Sequence, residues 1–309
     1  MSNPNMEAIN SYFENENKRF YARQICGQFE KLISDGKFSN KDIEENPVFK
    51  ALELMIGDAK GTFFYTIEPG TSLFRAREIK RSDDWNRKKT GIYAGDKDGT
   101  FSTKGFDKYG SKEAPIGIPP SGRSNIAGMS YLYLAEDQYT ACAEIRPIQR
   151  SVISIAEFIP QKPLHVIDLS EDKITNDYLK YEEDLIISPD QKKPSITAIM
   201  TWIMNQFARP VSNDSIYILS QLLADYIRKA GFDGVRYLSS TTRGKNVTIF
   251  NSHESYIRFK RSKLVLNHSL DYNIIDIETG KHIDPGDYYD IWNDTYLVKV
   301  RSEIASGIH

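Results

Sequence analysis

The run Gly122-Arg123-Ser124-Asn125-Ile126-Ala127-Gly128 leads into Tyr131-Leu132-Tyr133-Leu134-Ala135 and then Thr140-Ala141-Cys142-Ala143-Glu144-Ile145-Arg146-Pro147. It reads as a glycine-bounded loop, a short strand and a helix. Together they carry an arginine, an asparagine, two tyrosines, a glutamate and a second arginine. Polar residues gathered where strands and helices end are candidates for binding or catalysis, because rigid elements hold them in fixed geometry. Glu144 lies four residues after Thr140 on a helix opened by Asp137, so the two share a face. Taken alone it is an ordinary solvated helix glutamate; its place after the tyrosine strand and before the helix-stopping Arg146-Pro147 singles it out. Tyr131 and Tyr133 share one strand face, where their rings either stack on a planar heterocycle or pack half-buried.

Two further blocks supply complementary chemistry. In Leu73-Phe74-Arg75-Ala76-Arg77-Glu78-Ile79, strand alternation puts Arg75 and Arg77 on the same face as Leu73. Arginines on an inner face need carboxylates of the same protein, or a ligand phosphate or carboxylate. In Gly231-Phe232-Asp233-Gly234-Val235-Arg236-Tyr237-Leu238-Ser239-Ser240 a capped helix turns into a strand that ends in paired serines. No Gly-x-Ser-x-Gly elbow surrounds them, which disfavours a serine nucleophile. The five histidines show no metal-ligand spacing, and neither a Walker loop nor a Gly-x-Gly-x-x-Gly occurs. An inventory of arginine, tyrosine, glutamate and serine suits electrostatic handling of a phosphorylated, cation-forming substrate better than acyl or hydride transfer.

Composition sets the outer bounds. A chain of 309 residues, 40% hydrophobic and 27% charged, has the make-up of a globular protein with a full-sized core. A formal net charge of −2 gives no global drive toward nucleic acid or anionic membrane. Cys26 and Cys142 fit neither a zinc spacing nor a disulfide framework and read as buried inert thiols. With no apolar run long enough to span a bilayer and no signal-like start, a cytoplasmic location is expected.

The elements that must position these residues follow from periodicity. Residues 1–60 are helical in pattern, with Ile9, Phe13, Phe20, Ile25, Phe29, Leu32 and Ile33 near helical spacing. Ser39 and Asp42 resemble a cap for a second helix carrying Val48, Phe49, Leu52, Leu54, Met55 and Ile56. From Thr62 the period becomes two, with strands expected at 63–67, 73–79, 131–135, 151–159, 164–169, 235–238, 246–251, 256–259 and 264–267. Helices are expected near 195–208 and 215–230, the second stopped by Gly231, and more short strands beyond Asp271. The polar 80–120 stretch reads as a long loop of the kind that is functional or mobile. Short strands with irregularly placed helices argue for α+β.

In this order the three blocks resemble the RES domain family, named for arginine, glutamate and serine. Leu73–Arg77 is similar to its opening arginine strand, Gly122–Pro147 to its central block, and Gly231–Ser240 with Asn246-Val247-Thr248-Ile249-Phe250 to its closing serine block. The resemblance covers about residues 70–252. It implies a fold like that of ADP-ribosyltransferases: a split β-sheet core with flanking helices. It divides the chain into a helical N-terminal module (1–60) and a RES-like domain (61–309) with a C-terminal strand extension from 253. Family members are typically bacterial toxins paired with a DNA-binding antitoxin, and they degrade NAD by hydrolysis or phosphorolysis.

Carried over by position, the resemblance puts the family arginine on Arg75, the glutamate on Glu144 and the serine on Ser239, with Ser240 a close second. It makes Arg77, Arg123, Asn125 and Tyr133 substrate contacts. NAD is then a substrate, with inorganic phosphate as an optional co-substrate, and neither cofactor nor metal is called for. The implied partner is an antitoxin of Xre type; direct nucleic-acid and membrane binding are not expected, and homo-oligomerisation stays open. Two other readings stand beside NAD cleavage: a mono-ADP-ribosyltransferase acting on a macromolecule, and a catalytically silent binding module in which Arg75 and Glu144 are merely ion-paired.

Overall fold

The computed structural model describes residues 4–36, 39–57, 61–79, 105–113, 121–149, 151–170, 194–208, 217–267, 274–275 and 282–283. The chain forms two compact units. One comprises Met1–Thr71, Glu113–Glu136 and Pro160–Arg258; the other comprises Ser72–Lys112, Asp137–Ile159 and Phe259–His309.

The first unit holds helices α1 (Pro4–Asp35), α2 (Asn40–Glu44) and α3 (Pro47–Gly57), and strands β1 (Phe64–Ile67) and β3 (Leu132–Ala135). It continues with β5 (Leu164–Leu169), α6 (Ile196–Ala208), α7 (Ile218–Lys229), β6 (Gly234–Leu238) and β7 (Lys245–Ile249). Its strands run in the order β1-β5-β6-β7-β3. The β5–β6 pair is parallel and the others are antiparallel. A parallel pair needs a long crossover, and α6 and α7 lie in the chain between β5 and β6. Mixed pairing with helices on a face is the α+β architecture expected.

Helical periodicity explains how that face is covered. Ala22, Cys26, Phe29 and Ile33 of α1 are buried in one core with Val48, Phe49, Leu52 and Met55 of α3. The same core takes Ile199 and Ile203 of α6, Leu223 and Ile227 of α7, and Val235 and Tyr237 of β6. The helices expected over 1–60 are thus built into the core that backs the sheet, because their apolar stripes face α6 and α7. Among the expected apolar positions whose burial is described, Phe20 is the exposed exception, at 53%. Burial, reinforced by Glu30, pushes the Cys26 thiol up to about 12, consistent with an inert thiol.

The second expected helix takes a different form. Ser39 and Asp42 do make a reciprocal capping box, yet it opens only the five-residue α2. Pro47 then starts α3 afresh, and Asn46 Oδ1 accepts the Val48 N–H at 3.0 Å. Proline disfavours helix in the residue before it and suits a first helical turn. Gly231 behaves as expected: with φ of 95° it follows the Ala230 C-cap, and the Phe232 N–H returns to the Ile227 carbonyl at 3.4 Å.

The second unit holds β2 (Leu73–Glu78), α4 (Lys108–Ser111), α5 (Gln138–Glu144) and most of β4 (Val152–Pro160) and β8 (Ile257–Leu266). The strand order is β2-β4-β8, with β2 and β4 antiparallel. Beyond them β9 (Ile274–Ile275) pairs antiparallel with β10 (His282–Ile283). The rest of the strands expected beyond Asp271, and all of the 80–120 stretch except 105–113, lie outside the described residues. The two strands expected at 256–259 and 264–267 are a single strand, β8. Its central Lys260 and Arg261 bond the buried Glu157 of β4 at 3.0 and 2.6 Å, so a polar run that breaks hydrophobic alternation continues the strand.

Two outcomes follow from this packing. Phe49 is 1% exposed and meets the rings of Phe29 and Tyr226 edge-on at 5.7 and 4.9 Å. Phe49→Ala should cost about 3–5 kcal/mol, read through Trp202 fluorescence in urea with Trp85 and Trp292 replaced by phenylalanine. An unchanged Trp202 transition would show that α3 folds apart from α6. Burial pushes the Glu157 carboxyl up, but hydrogen bonds from Ser72, Arg261 and Lys260 outweigh it and hold the group at about 2 against an ordinary 4.5. A depressed carboxylate stabilises the fold above its unfolded value and loses that contribution as pH falls toward its folded one. Stability should therefore drop between pH 4.5 and 2, and urea midpoints of Glu157→Gln should show a shallower loss over that range.

Candidate functional site

In the first unit the arginine loop is organised by one phenol. Tyr133 of β3 donates its hydroxyl to Asn125 Oδ1 at 2.6 Å and accepts the Ser124 N–H at 2.9 Å. Asn125 Nδ2 in turn donates to the carbonyls of Ile126 and Met129, at 3.0 and 2.9 Å, and the Gly122 N–H closes on the Asn125 carbonyl at 2.9 Å. A Cβ at Gly122 would lie 2.5 Å from Asn125 Oδ1 and 2.9 Å from the Tyr133 hydroxyl, so the close approach requires glycine. Burial, then the nearby Tyr237, push the Tyr133 phenol up against the lowering effect of Ser124 and Asn125. It therefore stays a neutral donor. Arg123, half-buried, has its guanidinium 5.8 Å from the Tyr217 ring and 5.9 Å from the Tyr237 ring. Arg123, Asn125 and Tyr133 are thus brought together as one assembly, with Asn125 holding the loop from within, 3% exposed.

Ser239 follows Tyr237 by two residues and shapes the turn from β6 to β7. Its Oγ accepts the N–H groups of Thr241 and Thr242, both at 3.1 Å, and lies 2.9 Å from Thr241 Oγ1. Its own N–H reaches the Gly244 carbonyl at 2.9 Å. Ser240 sits beside it, half-buried. On the opposite face of β6, Arg236 is 6% exposed and bonds Glu136 bidentately at 2.6 and 3.0 Å, Asp168 at 2.7 Å and Ser170 at 3.0 Å. Its guanidinium also lies 4.2 Å from the Tyr65 ring centroid. Burial lowers the Arg236 pKa, but Glu136 and Asp168 outweigh it and raise it. Tyr217, Tyr237 and this charge network were invisible to sequence reasoning, since their partners lie far off in the chain.

In the second unit α5 packs on β2. Asp137 caps the helix, its carboxylate accepting from the Thr140 N–H and hydroxyl, both at 2.7 Å. Glu144 is the last residue of α5 and is half-buried; Arg146, at φ 47°, ends the turn beyond it. Arg75 is half-buried opposite Ala156, and Arg77 is exposed opposite Ser154. Arg77 donates to the Gly110 carbonyl and lies 5.4 Å over the Phe106 ring, so it secures the segment around α4. A cleft of 310 Å³ lined by Phe74, Gln138, Ile155, Glu157, Arg261 and Lys263 opens in this unit. Phe74 and Glu157 alternate with Arg75 and Ala156, so strand geometry directs the cleft to the face away from Arg75. Cys142 is half-buried, and burial pushes its thiol up. Among the described residues, no cluster of His, Cys, Asp or Glu could hold a metal ion, and no helix is long and apolar enough to cross a membrane.

The Tyr133 hydroxyl is the most economical test of the first assembly. Tyr133→Phe keeps the ring but leaves the Ser124 N–H and Asn125 Oδ1 without it. It should lower stability by about 1–3 kcal/mol, measured by urea unfolding. Unchanged stability would mean that the loop is held by other contacts.

Comparison with known proteins places these elements in a wider context. A search of curated proteins found no match. Among solved structures, the chain is similar to one in the crystal structure of the M. tuberculosis MbcT–MbcA toxin–antitoxin complex. The two share 13% identity at a TM-score of 0.32, with 71% of this chain and 93% of that chain covered. The family model of the RES domain matches residues 106–273. The match begins after β2, leaving Arg75 and Arg77 outside it, and runs through the arginine loop, α5 and the β6–β7 turn. It takes in more than half of the chain, and on that ground the protein belongs to the RES domain family.

Proposed function

We propose that this protein is an enzyme that consumes NAD by cleaving its nicotinamide–ribose bond, and that it acts as a toxin restrained by a partner antitoxin of Xre type. The observation that carries this reading is the family match over residues 106–273, which spans Arg123, Tyr133, Glu144 and Ser239 together. Breaking the bond leaves positive charge on the ribose as nicotinamide departs with the bonding electron pair. A carboxylate beside the ribose stabilises that charge, and Glu144 is assigned this role. Arg75 clamps the pyrophosphate, and Arg123 binds the same group or an incoming inorganic phosphate.

The Tyr133 ring stacks on the cationic nicotinamide, its hydroxyl being engaged by Ser124 and Asn125. Asn125 and Ser239 act through the loops they hold, and Ser240 is the adjacent hydroxyl for a ribose contact. With water as acceptor the products are nicotinamide, ADP-ribose and a proton. With phosphate they are nicotinamide and ADP-ribose 1″-phosphate. The protein, incubated with NAD with and without inorganic phosphate, should yield one of these pairs by chromatography and mass.

Glu144→Gln keeps the side chain's size and removes the charge opposing the developing cation. The variant should fold and lose on the order of a hundredfold or more in rate. Expression of the wild type in a cell lacking its partner should lower NAD and arrest growth, whereas Glu144→Gln should do neither. Growth arrest by both forms alike would show that NAD depletion is not how the protein acts.

A further inference from the structure

The arginine loop is gripped from a second side. Ser220 and Gln221, consecutive in the first turn of α7, are 2% and 7% exposed. Ser220 Oγ donates to the Arg123 carbonyl at 2.6 Å. Gln221 Nε2 donates to the Gly122 carbonyl and to Ser121 Oγ, both at 2.7 Å. The ring of Tyr217, at the N-cap of the same helix, and that of Tyr237 of β6 have their centroids 5.8 and 5.9 Å from the Arg123 guanidinium. The backbone of residues 121–123 and the charged end of Arg123 are therefore fixed by different parts of one helix start.

An arginine side chain has several rotatable bonds, and ordering them on binding an anion costs affinity. A guanidinium resting on aromatic rings is ordered in advance. A guanidinium stacked by its faces on aromatic rings keeps its N–H edges available to phosphate oxygens. Aromatic support and anion binding are therefore compatible on one arginine.

We infer that Tyr217 and Gln221 are positioning residues that hold Arg123 in the orientation from which it binds the pyrophosphate or inorganic phosphate of the substrate. The inference rests on the proposed role of Arg123 as an anion contact. It gives α7 a part in substrate affinity although Tyr217 and Gln221 lie outside the blocks that carry the family resemblance.

The test is titration calorimetry of the full chain with inorganic pyrophosphate, alongside NAD kinetics and melting temperatures. The wild type should bind pyrophosphate, and Arg123→Ala should bind it far more weakly than any other variant. Gln221→Glu keeps the shape and removes the donor to Gly122; Tyr217→Leu removes the ring. Each should bind pyrophosphate about tenfold more weakly, the effect of roughly one hydrogen bond or ring contact, while Tyr217→Phe restores binding.

In NAD turnover the same variants should raise KM and spare kcat, and neither should add to the effect of Arg123→Ala. Should Gln221→Glu fail to fold, Tyr217→Leu and its phenylalanine rescue carry the test. Folded variants with wild-type affinity, losses additive with Arg123→Ala, or a wild type that does not bind pyrophosphate would each overturn the inference. Pyrophosphate binding without NAD cleavage would instead refute the proposed reaction and leave the role of α7 standing.

Discussion

A buried guanidinium cannot be left without partners, and Arg236 imposes that requirement on the first unit. Its two carboxylate partners come from elements far apart in sequence: Asp168 at the end of β5 and Glu136 just after β3. Ser170 and the Tyr65 ring complete the surroundings. β7 lies between β6 and β3 in the strand order, so the bidentate bond to Glu136 reaches across it. Moving any of these strands by one residue would turn its charged or aromatic partner to the other face and strand a buried charge. Breaking such a pair costs several kcal/mol. The network therefore fixes register on one face of β6.

The other face of the same strand inherits that register. Val235 and Tyr237 point into the helical core while Arg236 points away from it. Once Tyr237 is placed, it meets Arg123 and comes within 3.5 Å of Thr248 Oγ1, the residue opposite Tyr133. The arginine loop then folds around the Tyr133 hydroxyl and is braced by α7. Structural charge and candidate binding residues thus alternate along one short strand, and the same alternation leads directly into the Ser239 turn.

In the second unit a carboxylate plays the corresponding part. Glu157 gathers Ser72, Lys260 and Arg261, and so joins the start of β2 to the middle of β8 through β4. Arg77 shows how an arginine that looks like a ligand contact can also serve the fold, since it lies over the Phe106 ring and donates to the Gly110 carbonyl. Arg75, two residues earlier on the same strand, is more buried and lies opposite the small Ala156 of β4. The two arginines are indistinguishable by alternation. Burial and packing surroundings separate them.

Much of this protein was legible in its residues alone, wherever the determining forces act over a few positions. The capping box at Ser39, the Gly231 stop, the Asp137 cap and most of the strand spans follow from local hydrogen bonding and periodicity. The family blocks around Arg123, Glu144 and Ser239 were likewise visible as ordered residue types, and the RES match bears that recognition out. Tertiary structure alone decided the rest. Glu136 and Arg236 are 100 residues apart, as are Gln221 and Ser121, and no local period announces such a pair. The parallel pairing of β5 with β6, the burial of α1 and α3 against α6 and α7, and the continuity of β8 through its charged centre likewise depend on partners distant in the chain. Periodicity reports which face of an element is apolar; what covers that face, and which charge answers a buried one, is settled only when the whole chain packs.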